Sequence, residues 1–100
     1  MIGGQQVAIL AALLNLKTEA TTNDVHDVLG GQHTLPSIFV ALDRMAKRKL
    51  VTVRKAEPLP QRGGKGRLYY TITASGKAAL NEARSAHAFH SSLIEAAIKD

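Results

Sequence analysis

From Gln5 to Leu16 apolar side chains fall at nearly every position, with Val7, Ala8, Ile9, Leu10, Ala11, Ala12, Leu13 and Leu14 in one run. A helix that is apolar all round must be covered on more than one side. The pattern predicts such a helix over 5–16, buried by its own domain and open to a partner chain on the remaining side. Thr21-Thr22-Asn23-Asp24 is a helix start: a threonine can cap, and Asp24 puts negative charge in the first turn. A helix of about two turns follows, with Val25, Val28 and Leu29 on one face, and it stops at Gly30-Gly31.

Thr34-Leu35-Pro36 opens a third helix, with Thr34 as cap and Pro36 in a first turn where no backbone bond is lost. At 100° per residue, Leu35, Ile38, Leu42, Met45, Ala46 and Lys49 gather within about 60° of Leu42, and Phe39 lies at the edge. The opposite face holds Pro36, Ser37, Val40, Arg44, Lys47 and Arg48, a face read as basic and free of acids. Leu50 to Glu57 and Arg67 to Thr73 each alternate with period two, and the Pro- and Gly-rich stretch between them is a loop. Together they predict a β-hairpin. Thr73 then caps a last helix that runs to about Lys99, some 26 residues and about 39 Å long. Its small-residue stripe (Ala79, Ala83, Ala86, His90, Leu93, Ala97) is longer than so small a domain can cover, which predicts a two-fold dimer.

Charge sharpens this picture. The chain of 100 residues carries +5 overall. Residues 44–67 contain nine Lys or Arg and one acid, Glu57, for a local +8, so the remainder is −3. Segregation of this size creates a positive field on one side of the molecule, and nucleic acid is the first candidate polyanion. The rest of the composition narrows the field by exclusion. With 45% apolar and 21% charged residues the chain is globular rather than disordered. The absence of cysteine excludes disulfides, thiolate metal sites and a cysteine nucleophile. The apolar run 7–14 is far short of the ~20 residues that span a bilayer. No nucleophile sits beside a predicted base and no acid pair has a role, so the expected class is not an enzyme and no catalytic residue is assigned. The expected location is the cytoplasm, at the nucleoid when bound to DNA, with no membrane association.

The element order is helix, short helix, basic amphipathic helix, hairpin, helix. It predicts a mainly α fold with a small β-hairpin, a winged helix-turn-helix with a long C-terminal dimerisation helix. Residues 1–73 would form the DNA-binding unit and 74–100 the dimerisation helix, within one compact body. The two basic features fall on the two elements this fold presents to DNA, the third helix and the wing.

The stretch Leu35-Pro36-Ser37-Ile38-Phe39-Val40-Ala41-Leu42-Asp43-Arg44-Met45, followed by Lys49-Leu50-Val51, resembles the PadR-like transcriptional regulators. So does Gly64-Lys65-Gly66-Arg67-Leu68-Tyr69-Tyr70-Thr71-Ile72-Thr73 with Gly76 and Leu80 beyond it, the more specific of the two motifs. The likeness covers about residues 7–83, of the shorter type with a single C-terminal helix. The chain departs from the family pattern at Phe39, where Tyr is usual, at Lys49, where Gly is usual, and in the Pro58-Leu59-Pro60 of the wing. The resemblance implies a dimeric repressor that clasps a two-fold operator.

On this reading Thr34, Pro36, Ser37 and Val40 face the bases. Ser37 would bond a base edge and Val40 would meet a thymine methyl. Gln32 and His33 lie just before them. No Asn, Gln or Arg stands in the first turns of the helix, so part of the discrimination is expected from DNA shape. Arg44, Lys47 and Arg48 are expected on phosphates, with Arg62, Gly64, Lys65 and Arg67 on the backbone or in the minor groove. About six phosphate contacts per protomer would make affinity fall steeply with salt. The expected dimer interface comprises Leu10, Leu13, Ala83, Ala86, Phe89, His90, Leu93 and Ala97. His87 and His90 stand three apart, but His90 lies within the apolar stripe and is read as an interface residue, so no metal or other cofactor is assigned. Two alternatives stay open: a winged-helix module whose basic face docks an acidic protein, and a small-molecule sensor on the same scaffold, its effector unidentified.

Overall fold

A computed structural model describes residues 2–56 and 67–99. Its elements are α1 (Gly4–Leu16), α2 (Thr22–Val28), α3 (Leu35–Lys47), β1 (Val51–Lys55), β2 (Leu68–Ile72) and α4 (Ala74–Lys99). The starts of the helices follow from local chemistry. At α2 a capping box forms: the Thr21 hydroxyl accepts the Asp24 N–H at 3.2 Å, and the Asp24 carboxylate accepts the Thr21 N–H at 2.9 Å. At α3 Thr34 accepts the Ser37 N–H at 3.3 Å, with Pro36 inside the first turn. The turn after α2 uses Gly30 and Gly31, both at positive φ.

The core joins Ile9, Leu10 and Leu13 of α1, Val25 of α2, Ile38, Leu42 and Met45 of α3, and Leu50, Val51 and Tyr70 of the hairpin. Leu10 and Leu13 are fully enclosed within the single chain, and Ala83 is buried as well. The expectation that these three lie on a dimer surface is therefore corrected: Leu10 and Leu13 are taken up by the protomer's own core, and Ala83 of α4 is covered by the packing of α4 within the same chain. On α1 the exposed apolar side chains are Ala11 and Leu14 instead. An all-round apolar helix cannot show by its periodicity which side faces inward.

The strands pair antiparallel, Val51 against Ile72 and Val53 against Tyr70. Ala20 adds a third edge by exchanging both of its backbone bonds with Tyr70, at 2.8 and 3.0 Å. Tyr70 is buried, and burial, with the Asp43 charge second, pushes its phenol up. Tyr69 points the other way and lies under the Arg54 guanidinium, 4.9 Å from the ring centre. Arg54 also makes a two-pronged ion pair with Glu19, at 2.7 and 2.9 Å, which ties the root of the wing to the α1–α2 connection. The hydrogen bonds from Arg54 hold the Glu19 carboxyl below its ordinary value.

The end of α3 and the start of α4 meet at one carbonyl. The Leu50 C=O accepts the Thr73 N–H at 3.1 Å. The Thr73 hydroxyl lies 2.9 Å from the same oxygen and 2.8 Å from the Lys49 carbonyl, and it accepts the Gly76 N–H at 3.0 Å. Gly76 is the third residue of α4, and a Cβ there would run into the Leu50 carbonyl and the Ile72 side chain. Beyond Ala83, the last of its residues in the core, α4 leaves the body. The radius of gyration is 16.3 Å and the long axis is 65 Å, against about 13 Å for the radius of a compact 100-residue chain. Phe89, Leu93, Ile94 and Ile98 on its outer half are all exposed.

Two stability predictions follow from this geometry. Gly76→Ala is expected to destabilise the fold by about 1–3 kcal/mol through overpacking against backbone that cannot give way, read as a lower urea midpoint at unchanged slope. Lys49 sits at φ 63 just past the end of α3, a left-handed position that suits glycine. Lys49→Gly is expected to raise stability by about 0.5–1 kcal/mol by relieving that strain, and a lower midpoint for this variant contradicts the account.

Candidate nucleic-acid interface

α3 rests its Ile38, Leu42 and Met45 face on α1 and α2 and turns the other outward. Thr34, Pro36, Val40, Arg44, Lys47 and Arg48 are exposed on it, and Ser37 is half-buried at its margin. The outward face is basic but, against expectation, not free of acids: Asp43 is exposed there and pairs with Lys47 at 3.1 Å. The spacing of four along a helix is the signal for this pair. Arg44 and Arg48 make no ion pair among the described residues. Arg54, one of the nine bases in the cationic segment, is likewise occupied by Glu19.

Arg67 stands exposed at the base of the wing, where it lines a cleft with Phe39 of α3 and Thr22 and Asp24 of α2. The wing root thus comes beside α3. Arg62, Gly64 and Lys65 lie outside the described residues. Phe39 and Val40 are each 46% exposed, so the outward face carries apolar surface as well as charge.

Ser37 is more constrained than a free hydroxyl. It donates to the Thr34 carbonyl at 2.9 Å and receives the side-chain amide of Gln5, Nε2 to Oγ, at 3.0 Å. Gln5 belongs to α1, 32 residues away, and no local pattern announces it. The second expected site also has a definite shape. Along its inner half α4 packs on α1 through Ala79, Leu80 and Ala83. Beside that contact runs an apolar groove floored by Val7, Ala11 and Leu14, with Arg84, His87 and His90 on its α4 wall. Ala86 is half-buried, while Phe89, His90, Leu93 and Ala97 are exposed. The His90 ring lies 6.0 Å from that of Phe89. Among the described residues no three His, Cys, Asp or Glu side chains group as a metal site, and no helix is long and apolar enough to cross a membrane.

No family model and no curated protein matches the chain by sequence. Solved structures do match. A PadR-family transcription regulator from Clostridium difficile superposes with a TM-score of 0.71 at 20% identity, over 93% of this chain and 96% of that one. A PadR-like transcription factor from Bacteroides fragilis gives 0.75 at 19% identity, over 90% and 85%. BpsR of Bordetella bronchiseptica, whose DNA binding is regulated by 6-hydroxynicotinic acid, gives 0.63 at 22% identity, over 81% and 52%. The likeness is one of architecture, and by it the chain has the winged-helix fold of the PadR-like transcriptional regulators.

Proposed function

We propose that this protein is a sequence-specific, double-stranded DNA-binding transcriptional regulator that works as a homodimeric repressor. The observation that carries the proposal is the outward face of α3, where Arg44 and Arg48 stand exposed and unpaired among the described residues, beside a wing whose root presents Arg67. The likeness of fold to transcriptional regulators supports the same reading. In this mechanism α3 enters the major groove, its N-terminal residues meet base edges, and the wing cations lie along the backbone or in the minor groove. Two copies join through the exposed apolar length of α4, supplemented by Ala11 and Leu14 of α1, and a second chain covers what one protomer leaves open. The α1–α4 groove is where a small effector would bear on the dimer.

The first test is fluorescence anisotropy of the protein against the duplex upstream of its own gene and a scrambled duplex, at about 50 and 200 mM salt. The expected result is preference for its own duplex and affinity that falls steeply with salt. Absence of binding to any duplex at low salt overturns the proposal, and salt-resistant capture of an acidic protein would replace it with a docking module.

Residue contributions should separate in the same assay. Arg44→Ala and Arg48→Ala are each expected to lower the log–log salt slope by about 1 and to weaken binding evenly across sequences. Lys47→Ala should change it less, because Asp43 already holds its ammonium. Leu93→Asp places a charge in the apolar stripe of α4. Sedimentation is expected to show a monomer, with affinity for a two-fold site reduced by about 100-fold as the two-point attachment is lost. A dimer that survives this change contradicts the assigned interface.

A further inference from the structure

Resting on the DNA-binding reading, we propose that Gln5 of α1 is a specificity-determining residue that reads an adenine, and that with Val40 it selects an A·T pair in each half-site. The Ser37 hydroxyl has a single proton to give. The hydroxyl donates to the Thr34 carbonyl at 2.9 Å, so it has no hydrogen left for a base. Towards Gln5 it acts only as acceptor, and the contact is with Nε2 at 3.0 Å. This fixes which way round the Gln5 amide stands, since an oxygen in that place would face another lone pair. Nε2 spends one hydrogen on Ser37 and keeps the second, and Oε1 accepts no hydrogen bond from the protein among the described residues.

One free N–H beside one free C=O is the pattern that matches the major-groove edge of adenine, N7 as acceptor and N6 as donor. Gln5 lines an open cleft with Thr34, Pro36, Ser37, Val40 and Arg44, at the end of α3 that leads into the groove. Val40, exposed in the same cleft, supplies the apolar contact that a thymine methyl takes. The clamp matters as much as the reader. A free glutamine rotates and flips, and ordering it costs entropy, whereas Ser37 holds the amide before DNA arrives. Thr34, Ser37 and Gln5 therefore form one relay. The cap of the recognition helix orients a hydroxyl, and that hydroxyl orients an amide supplied by another helix.

The test selects preferred duplexes from a random pool with the full-length wild-type protein and with Gln5→Ala, Ser37→Ala and Val40→Ala. Wild type is expected to select one A·T position per half-site. Gln5→Ala should lose discrimination there by about 5- to 100-fold, with unchanged affinity for nonspecific duplex, which shows that the variant is folded. Ser37→Ala should lose part of the same discrimination at the same position. On the wild-type site, 7-deazaadenine should weaken wild type but leave Gln5→Ala unaffected. Deoxyuridine for thymine should weaken wild type by about fourfold per methyl and leave Val40→Ala unaffected. If Gln5→Ala keeps the wild-type preference at every position, the inference is overturned while the DNA-binding reading stands. If wild type enriches no sequence and binds no duplex, both are overturned together.

Discussion

The carbonyl of Leu50 holds the two halves of this molecule in register. It takes the Thr73 N–H, faces the Thr73 hydroxyl and lies beneath the first turn of α4 at Gly76. On one side of it lies the body formed by α1–α3 and the hairpin, and on the other begins α4, whose outer half leaves that body. Because only a residue without Cβ lets α4 approach so closely, the angle between α3 and α4 is set by backbone contact rather than by deformable side chains. In the proposed two-fold dimer built on α4, that angle would set how far apart the two α3 helices stand. Successive major grooves on one face of DNA require about 34–36 Å.

Charge is distributed more selectively than its total suggests. Of the cations that crowd residues 44–67, Arg54 is spent on Glu19 and Lys47 on Asp43. Such exposed pairs add little stability. They act instead on where the field remains. Arg44 and Arg48 keep theirs on the outward face of α3, and Arg67 stands at the wing root. Arg54 has become a structural cation, wedged between a carboxylate and the Tyr69 ring.

The helices were legible in the sequence because their ends carry their own chemistry. Thr21, Thr34 and Thr73 cap within three residues of themselves, and Gly30-Gly31 ends α2 by conformation. The hairpin was legible from its alternation around a Gly-rich loop. The inner side of α1 was not, because a helix apolar all round gives no phase, and Leu10 and Leu13 went to the core instead of the surface. The Gln5–Ser37 and Glu19–Arg54 contacts join residues 32 and 35 apart, and single-sequence periodicity carries no information at that range. The Asp43–Lys47 pair was within reach of the spacing rule, and its effect on the helix face had to be seen in three dimensions.

The register of the small sheet has one more consequence. β2 is central, bonded to β1 on one side and to Ala20 on the other, so among the described residues the far side of β1 is an open edge with no strand partner. An open edge invites another strand to add itself. Here the edge is only five residues long and carries Thr52, Arg54 and Lys55, with the Arg54 guanidinium drawn across to Glu19. Short length and charge are how native sheets discourage edge-to-edge growth. The cation that anchors the wing also guards the molecule against aggregation through its sheet.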